Sequence, residues 1–278
     1  MPDKRSDVQA LFDVRGRTAV ITGGSGYLGR AMASALAQAG MRVAILGRHL
    51  ETAQTVAETI QTEGGKAIGI AVDVLDRADL EQSREQITSA FGPVDVLINA
   101  AGGNSPAATT SAELRFFDLD AQAVSSVFGL NFTGTFQSCQ VFGRDMARRK
   151  QGCIVNVTSM SGLRPLTRVP AYSAAKAAII NFTQWLAVHM AQEYHPAIRV
   201  NALAPGFFLT EQNHYLMLDA DGKMTPRGQT ILDHTPMGRL GTPEDLPGTL
   251  LWLVSPASAF VTGVVIPVDG GFSSFSGV

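Results

Sequence analysis

Short runs of β-branched and aliphatic residues recur along the chain, separated by longer stretches in which apolar positions return every third or fourth residue. The runs begin near Thr18, Arg42, Lys66, Val94, Ile154, Ile198 and Val264. Each is apolar and bounded by Gly, Pro, Asn or Asp, which predicts a buried strand. The stretches between them predict helices; residues 30–40, for example, are alanine-rich and closed by Gly40. Strands alternating with crossover helices predict an α/β class: one doubly wound parallel sheet with helices on both faces. Ligands in such sheets bind beyond the carboxyl ends of the strands, and the polar and glycine-rich segments of this chain fall there.

A length of 278 residues with 45% hydrophobic content suits one core, so residues 1–278 are expected to form one domain. Residues 103–120 and 207–241 look additional to the strand-helix alternation, and neither is long enough for a second domain. A net charge of −2 and a pI near 6.2 give no global attraction to nucleic acid or to an anionic membrane. No run approaches the roughly 18 apolar residues of a membrane span, and the first residues carry no apolar leader. Cys139 and Cys153 have no metal-ligand spacing and read as buried thiols of a reducing compartment, with the cytoplasm as the default location. The histidines form no ligand pattern, so no metal is expected.

Chemistry concentrates in Pro170-Ala171-Tyr172-Ser173-Ala174-Ala175-Lys176, with Ser159 upstream. On a helix, a four-residue spacing puts the phenol and the ammonium on one face. A free tyrosine titrates near 10, and using it as an acid near pH 7 requires favouring the phenolate by roughly 4 kcal/mol. One ammonium at about 4 Å and an effective dielectric of about 20 supplies a similar amount. Such pairs are also common on helices that catalyse nothing, so the neighbours matter. Thr18-Ala19-Val20-Ile21-Thr22 runs into Gly23-Gly24-Ser25-Gly26-Tyr27-Leu28-Gly29 and then a helix, the arrangement of a phosphate cradle. Glycines serve plain turns too, and Ser159, Asn131 and Asp73 could each be a strand end or a helix cap.

These segments, with Asn99-Ala100-Ala101-Gly102, Asn131, Ile154-Val155-Asn156-Val157-Thr158-Ser159 and residues 201–210, resemble the short-chain dehydrogenase/reductase family over essentially the whole chain. The resemblance implies a Rossmann-type sheet of seven strands in the order 3-2-1-4-5-6-7. It implies a catalytic set of Asn131, Ser159, Tyr172 and Lys176, in which Tyr172 exchanges a proton with a carbonyl oxygen that Ser159 also holds. Lys176 would bias Tyr172 and hold a nicotinamide ribose, and Asn131 would anchor a water relay. For the cofactor it implies Gly23, Ser25, Gly26, Tyr27, Leu28 and Gly29 at the pyrophosphate and Asp73 with Val74 at the adenine. Asn99, Ala100 and Gly102 would sit beside the adenosine ribose, and Pro205, Gly206, Phe208 and Thr210 at the nicotinamide. Tyr27 stands where the family usually has the middle glycine of the turn, which leaves the shape of that turn open. In the family, residues at 207–241 form a substrate lid, and the apolar helix at residues 172–191 and the strand at 264–268 pack against other subunits, which implies a homotetramer.

An NAD enzyme of this type places an acid after the second strand; here the chain reads Gly47-Arg48-His49. A carboxylate would repel a 2'-phosphate whereas a guanidinium pairs with one, so NADP(H) is expected to be favoured, with NAD(H) possible. Arg48 as a solvated residue at a helix entry is the alternative. Arg164, Arg168, Asn104, Gln212, Asn213, His214 and Arg227 fall in loops around the expected carbonyl position, which suits a compact polar acid. Asn104, Arg164, Gln212 and Asn213 are the substrate candidates, Arg164 foremost for a carboxylate, while Arg239 and Arg168 could be structural ion-pair partners. Both additional segments resemble the D-mannonate oxidoreductase, or fructuronate reductase-like, branch, which implies a sugar-acid substrate. A gluconate 5-dehydrogenase, a 3-oxoacyl or generic ketone reductase, and a non-catalytic NADP(H) sensor are the competing readings.

Overall fold

The computed structural model describes residues 8–209, 217–219 and 221–277. Each predicted apolar run forms a strand: β1 (Thr18–Thr22), β2 (Arg42–Gly47), β3 (Lys66–Ala71), β4 (Val96–Asn99), β5 (Gly152–Val157), β6 (Ile198–Pro205) and β7 (Val265–Val268). All pairings are parallel, and the order is β3-β2-β1-β4-β5-β6-β7, as the family resemblance implied. β1 and β6 are buried along their whole length because helices cover both faces of the sheet.

The two-residue period of the strands divides the core into two layers. Ala19, Ile21, Ile98 and Val155 point to the layer of α2 (Tyr27–Gln38) and α3 (Leu50–Thr62), where Met32, Leu36, Ala53 and Ile60 are buried. Val20, Leu97, Ile154 and Val200 point to the other layer, packed with Leu80 and Ile87 of α4 (Arg77–Phe91). Phe142 of α6 (Gly134–Arg149) and Phe182 of α8 (Pro170–His189) complete it. Each fully buried Val, Leu, Ile, Met or Phe among these contributes about 1.5–3 kcal/mol. Local signals set helix starts: Asp76 accepts from Ala78 N and Asp79 N at the head of α4, and Asp120 accepts from Gln122 N and Ala123 N at the head of α5 (Ala121–Phe128).

The long apolar helix begins two residues before the predicted Tyr172, with Pro170 at its first position, where the missing amide costs nothing. Its α-winding ends at His189 and a π turn, Met190–Tyr194, follows. A second π turn, Gly129–Thr133, joins α5 to α6. Strand order reverses between β1 and β4, whose carboxyl ends lie side by side at Thr22 and Asn99. The segment after β4 makes two 3-10 turns, Pro106–Ala108 and Phe116–Asp118, and Thr110 N donates to Arg168 O at 2.9 Å, tying it to the loop before α8. The excursion after β6 is closed at its base by a parallel bridge between Phe208 and Gly241 and contains α9 (Pro226–Asp233). α7 (Met160–Leu163) follows β5, and α10 (Pro247–Val254) precedes β7.

Candidate active site

The chain leaves β1 through Gly23 at φ +65°. A β-carbon there would sit 2.7 Å from Ala101 Cα, so the turn after β1 lies directly on the chain after β4. Thr22 fastens the junction: its carbonyl accepts from Ala100 N at 3.1 Å and its hydroxyl from Ala101 N at 3.2 Å. Gly26 caps α2 with extended backbone and no side-chain acceptor, which leaves the first-turn amides to an external anion. Gly29 is buried against the Gly23 carbonyl. Ser25 and Leu28 are half-buried beside it. Tyr27 is the first helical residue and adopts no left-handed backbone, so the missing family glycine leaves the helix start regular; its ring lies 6.0 Å from the Arg30 guanidinium. A bare cradle of close backbone at a helix start fits a dinucleotide pyrophosphate.

Farther along the groove, Gly47 is buried, and a β-carbon on it would lie 2.7 Å from Ser25 Oγ. Arg48 is exposed and meets no carboxylate among the described residues. Asp73 is exposed and shapes the turn into α4, its Oδ1 accepting from Leu75 N at 2.9 Å, while Val74 is buried. Pro205 ends β6, and Gly206 N donates to Val268 O at 2.9 Å. Phe208 is buried against Gly241 at the base of the excursion. Thr210, Gln212, Asn213 and His214 lie outside the described residues.

The side chain of Asn99 turns away from the expected ribose position. Its Nδ2 donates to Asn156 Oδ1 at 2.8 Å and to Cys139 Sγ at 3.2 Å, and Asn156 Nδ2 donates in turn to Thr183 Oγ1 at 2.8 Å. The cause is strand alternation: Asn99 shares a face with Leu97, which points into the α6 and α8 layer. Asn99 thus cross-links β4, β5 and α8, and from this segment Ala100 and Gly102 remain for the groove.

Tyr172 and Lys176 stand one turn apart near the start of α8, with Lys176 Nζ 5.5 Å from the phenol ring centroid. Ser159 ends the β5 segment and caps α7, its Oγ accepting from Ser161 N, and it hydrogen-bonds the phenol. Burial pushes the Tyr172 phenol above its ordinary value near 10, and the Ser159 hydrogen bond pulls it back. Lys176 is 4% exposed; burial pushes its ammonium down to about 8, and Nζ donates to Val157 O at 3.0 Å. In place of the expected acidification of the phenol by its neighbouring ammonium, desolvation favours the neutral form of both groups.

Asn131 sits in the Gly129–Thr133 π turn, fully buried, with Nδ2 donating to Gly103 O at 2.7 Å and to Val127 O at 2.8 Å. A β-carbon on Gly102 would lie 2.6 Å from Asn131 Oδ1 and 3.1 Å from Lys176 Nζ, so the two side chains converge on that glycine. Thr158 was not singled out in the sequence: it is buried, and its hydroxyl donates to Lys176 O at 2.7 Å. With α7 pressed onto α8 at Gly162, this clamps the backbone of Lys176. Adjacency to Ser159 was the one signal of it. Among the substrate candidates, Asn104 is exposed and donates to Thr109 Oγ1 at 2.9 Å. Arg164 is exposed, but its Nε donates to Ser273 O at 3.2 Å, which commits part of the guanidinium to the C-terminal turn. Arg239 pairs with Asp245 at 2.7 Å, a structural ion pair.

Comparison with known proteins agrees with this geometry. A family model described as short chain dehydrogenase matches residues 17–220. An uncharacterized oxidoreductase, UxuB, of Bacillus subtilis (strain 168) is 52% identical over 96% of this chain and 98% of its own length. A Haemophilus influenzae crystal structure with bound NAD, provisionally assigned as a D-mannonate oxidoreductase, superposes with a TM-score of 0.91 at 44% identity, covering 98% of this chain and 100% of the other. A gluconate 5-dehydrogenase from Burkholderia cenocepacia J2315 in complex with NADP and tartrate superposes at 0.86 with 30% identity, covering 96% and 99%. The chain belongs to the short-chain dehydrogenase/reductase family and is an NAD(P)-dependent oxidoreductase.

Proposed function

We propose that this enzyme interconverts the ketone and the secondary alcohol of a sugar acid, with D-fructuronate and D-mannonate as the pair. The observation that carries the reading is the meeting of Ser159, Tyr172 and Lys176, with Asn131 behind Gly102, at the carboxyl edge of the sheet. The relative provisionally assigned as a D-mannonate oxidoreductase supports the same substrate class.

A nicotinamide cofactor in this groove would supply or accept the hydride. Tyr172 gives its phenolic proton to the substrate oxygen in reduction and takes it back in oxidation. Ser159 holds that oxygen and, through its hydrogen bond to the phenol, favours the phenolate. Lys176, fixed at both ends by Val157 O and Thr158 Oγ1, presents its ammonium beside the ring. Asn131 anchors the water through which Lys176 exchanges protons. Gly23, Ser25, Gly26, Tyr27, Leu28 and Gly29 would hold the pyrophosphate, Asp73 and Val74 the adenine, and Pro205, Gly206 and Phe208 the nicotinamide. The excursion at residues 207–241 serves as the substrate lid. The cofactor is NADP(H) by preference: position 47 carries no acid, and Arg48, which meets no carboxylate among the described residues, stands ready for a 2'-phosphate. The active form is a cytoplasmic homotetramer. Among the described residues no helix is long and apolar enough to cross a membrane.

A gluconate 5-dehydrogenase is the second reading, favoured by the Burkholderia structure. Retention of all four catalytic positions weighs against a non-catalytic sensor. Steady-state assays of D-fructuronate, D-mannonate, gluconate and a 3-oxoacyl thioester with each cofactor separate these readings. D-Fructuronate with NADPH is expected to give the highest kcat/KM, with Tyr172→Phe lowering it at least about 100-fold and Arg48→Ala weakening NADPH far more than NADH. Inertness toward both D-fructuronate and D-mannonate, with rapid reduction of another ketone, rejects the substrate.

A further inference from the structure

Lys176 is held by more than its own helix. Thr158 directly follows β5, and its N donates to Leu203 O at 2.8 Å, so pairing with β6 fixes its backbone. The Thr158 side chain is buried, and its hydroxyl donates across to Lys176 O at 2.7 Å. A carbonyl oxygen has two lone pairs, so such a bond adds to a helix's own ladder without displacing it. Buried threonines within the helices behave otherwise. Thr135 of α6 and Thr183 of α8 donate to the carbonyls four positions back, Asn131 O and Ile179 O, which ties a helix only to itself. The Thr158 bond instead ties α8 to the end of the sheet.

The same peptide is pressed from a second side. A β-carbon on Gly162 of α7 would lie 2.8 Å from Lys176 C and O and 2.9 Å from Ala177 N. The Lys176 side chain then returns to the strand end that grips its backbone, Nζ donating to Val157 O at 3.0 Å. A β-carbon on Gly102 would come within 3.1 Å of Nζ, and the Tyr172 ring centroid lies 5.5 Å away. Among the described residues no carboxylate pairs with this ammonium. Its place beside the phenol therefore depends on how deeply α8 seats against residues 157–159.

We propose that Thr158 is a positioning residue for the reaction: its hydroxyl sets the depth at which α8 seats on the end of β5, and with it the place of the Lys176 ammonium beside Tyr172. This rests on the catalytic reading of Tyr172 and Lys176 and deepens it. A displacement of about 1 Å at a catalytic group can cost roughly 100-fold in rate. Thr158→Val keeps the branched shape and removes the donor, whereas Thr158→Ser keeps the donor. Thr158→Ala completes a second comparison, serine against alanine, that stands if the valine form folds poorly.

The assay uses whichever ketone wild type reduces fastest, below the melting transition of every form. The valine and alanine forms are expected to lower kcat at least about tenfold with KM within about threefold, and serine to stay within about threefold of wild type on both. The limb on which kcat falls with rising pH should move down by at least about half a unit in valine and alanine but not in serine, because a displaced Lys176 loses the acceptor that favours its charged form. The titratable neighbour of Nζ is the Tyr172 phenol; Val157 O, Gly102 and the Asn131 amide carry no charge. A role in folding alone would lower the urea midpoint and leave kcat and its pH limb in place, and that result overturns the assignment, as does a serine form as slow as the valine form. Tyr172→Phe, run alongside, separates the failures. If it keeps wild-type turnover, the catalytic reading falls and takes this assignment with it; if it is slow while Thr158→Val matches wild type, this assignment falls alone.

Discussion

Lys176 is a residue whose charge its surroundings disfavour. Burial holds its ammonium at about 8 against an ordinary 10.5, so between those values the unfolded chain binds more protons than the folded one. The sign follows: this site's contribution to stability rises with pH through that window, by roughly 3 kcal/mol at most. In urea melts, wild type should gain on Lys176→Met from about pH 7 to about pH 10, and parallel curves would refute the burial effect. At this scale the sequence was legible where chemistry is local. Tyr172, Lys176 and Ser159 were recognisable from type and spacing, and the structure brings them together. The amide of Asn99 was not, because which face of β4 it takes depends on where the strand starts. Nor was the commitment of Arg164, whose partner Ser273 lies 109 positions away.

Among the elements, the turn from β1 into α2 tolerates little change. Gly23→Ala would force a side chain into left-handed backbone, at about 1–2 kcal/mol, and drive its β-carbon into the chain after β4, 2.7 Å from Ala101 Cα. We expect the NADPH Kd to rise at least about tenfold in a fluorescence titration, with the far-ultraviolet dichroism of the sheet retained. Tyr27→Gly, in contrast, alters a residue with ordinary helical backbone and should cost about 1 kcal/mol of stability with little change in Kd. Equal effects of the two substitutions would contradict this account of the turn. Strands and most helix starts were readable because β-branched runs and capping aspartates act over a few residues. The two π turns were not, since their winding answers to packing on both sides of the chain.

For the whole molecule, one face of the α6 and α8 layer is unfinished. Trp185 and Val188 are 55% and 57% exposed, Trp185 stacks on His189 with ring centroids 4.7 Å apart, and a cavity of about 550 Å³ beside them is lined by Phe136, Phe182, Leu186 and Met190. This cavity is lined by none of Asn131, Ser159, Tyr172 and Lys176. The apolar character of α8 on several sides was visible in the sequence, and the sheet covers only some of them. As the surface for the proposed tetramer, it predicts that Trp185→Glu yields smaller species by light scattering while wild type runs as four chains. An unchanged mass would remove this face from the assembly. Order across the sheet came from the family resemblance: strand-helix alternation predicts a parallel sheet and narrows its windings without choosing one.

The wide winding at Gly129–Thr133 lets one continuous rod serve two masters. Each residue advances a helix by about 100°, so accommodating one more than a regular turn rotates everything beyond it by that angle. Before the offset, the rod keeps Val127 and Asn131 aimed at the loop after β4; beyond it, Cys139 and Phe142 seat on the sheet. A chain one residue shorter here could keep either half in register but not both, which makes the spacing between Asn131 and the sheet contacts of α6 as much a part of the proposed catalytic apparatus as the side chains themselves.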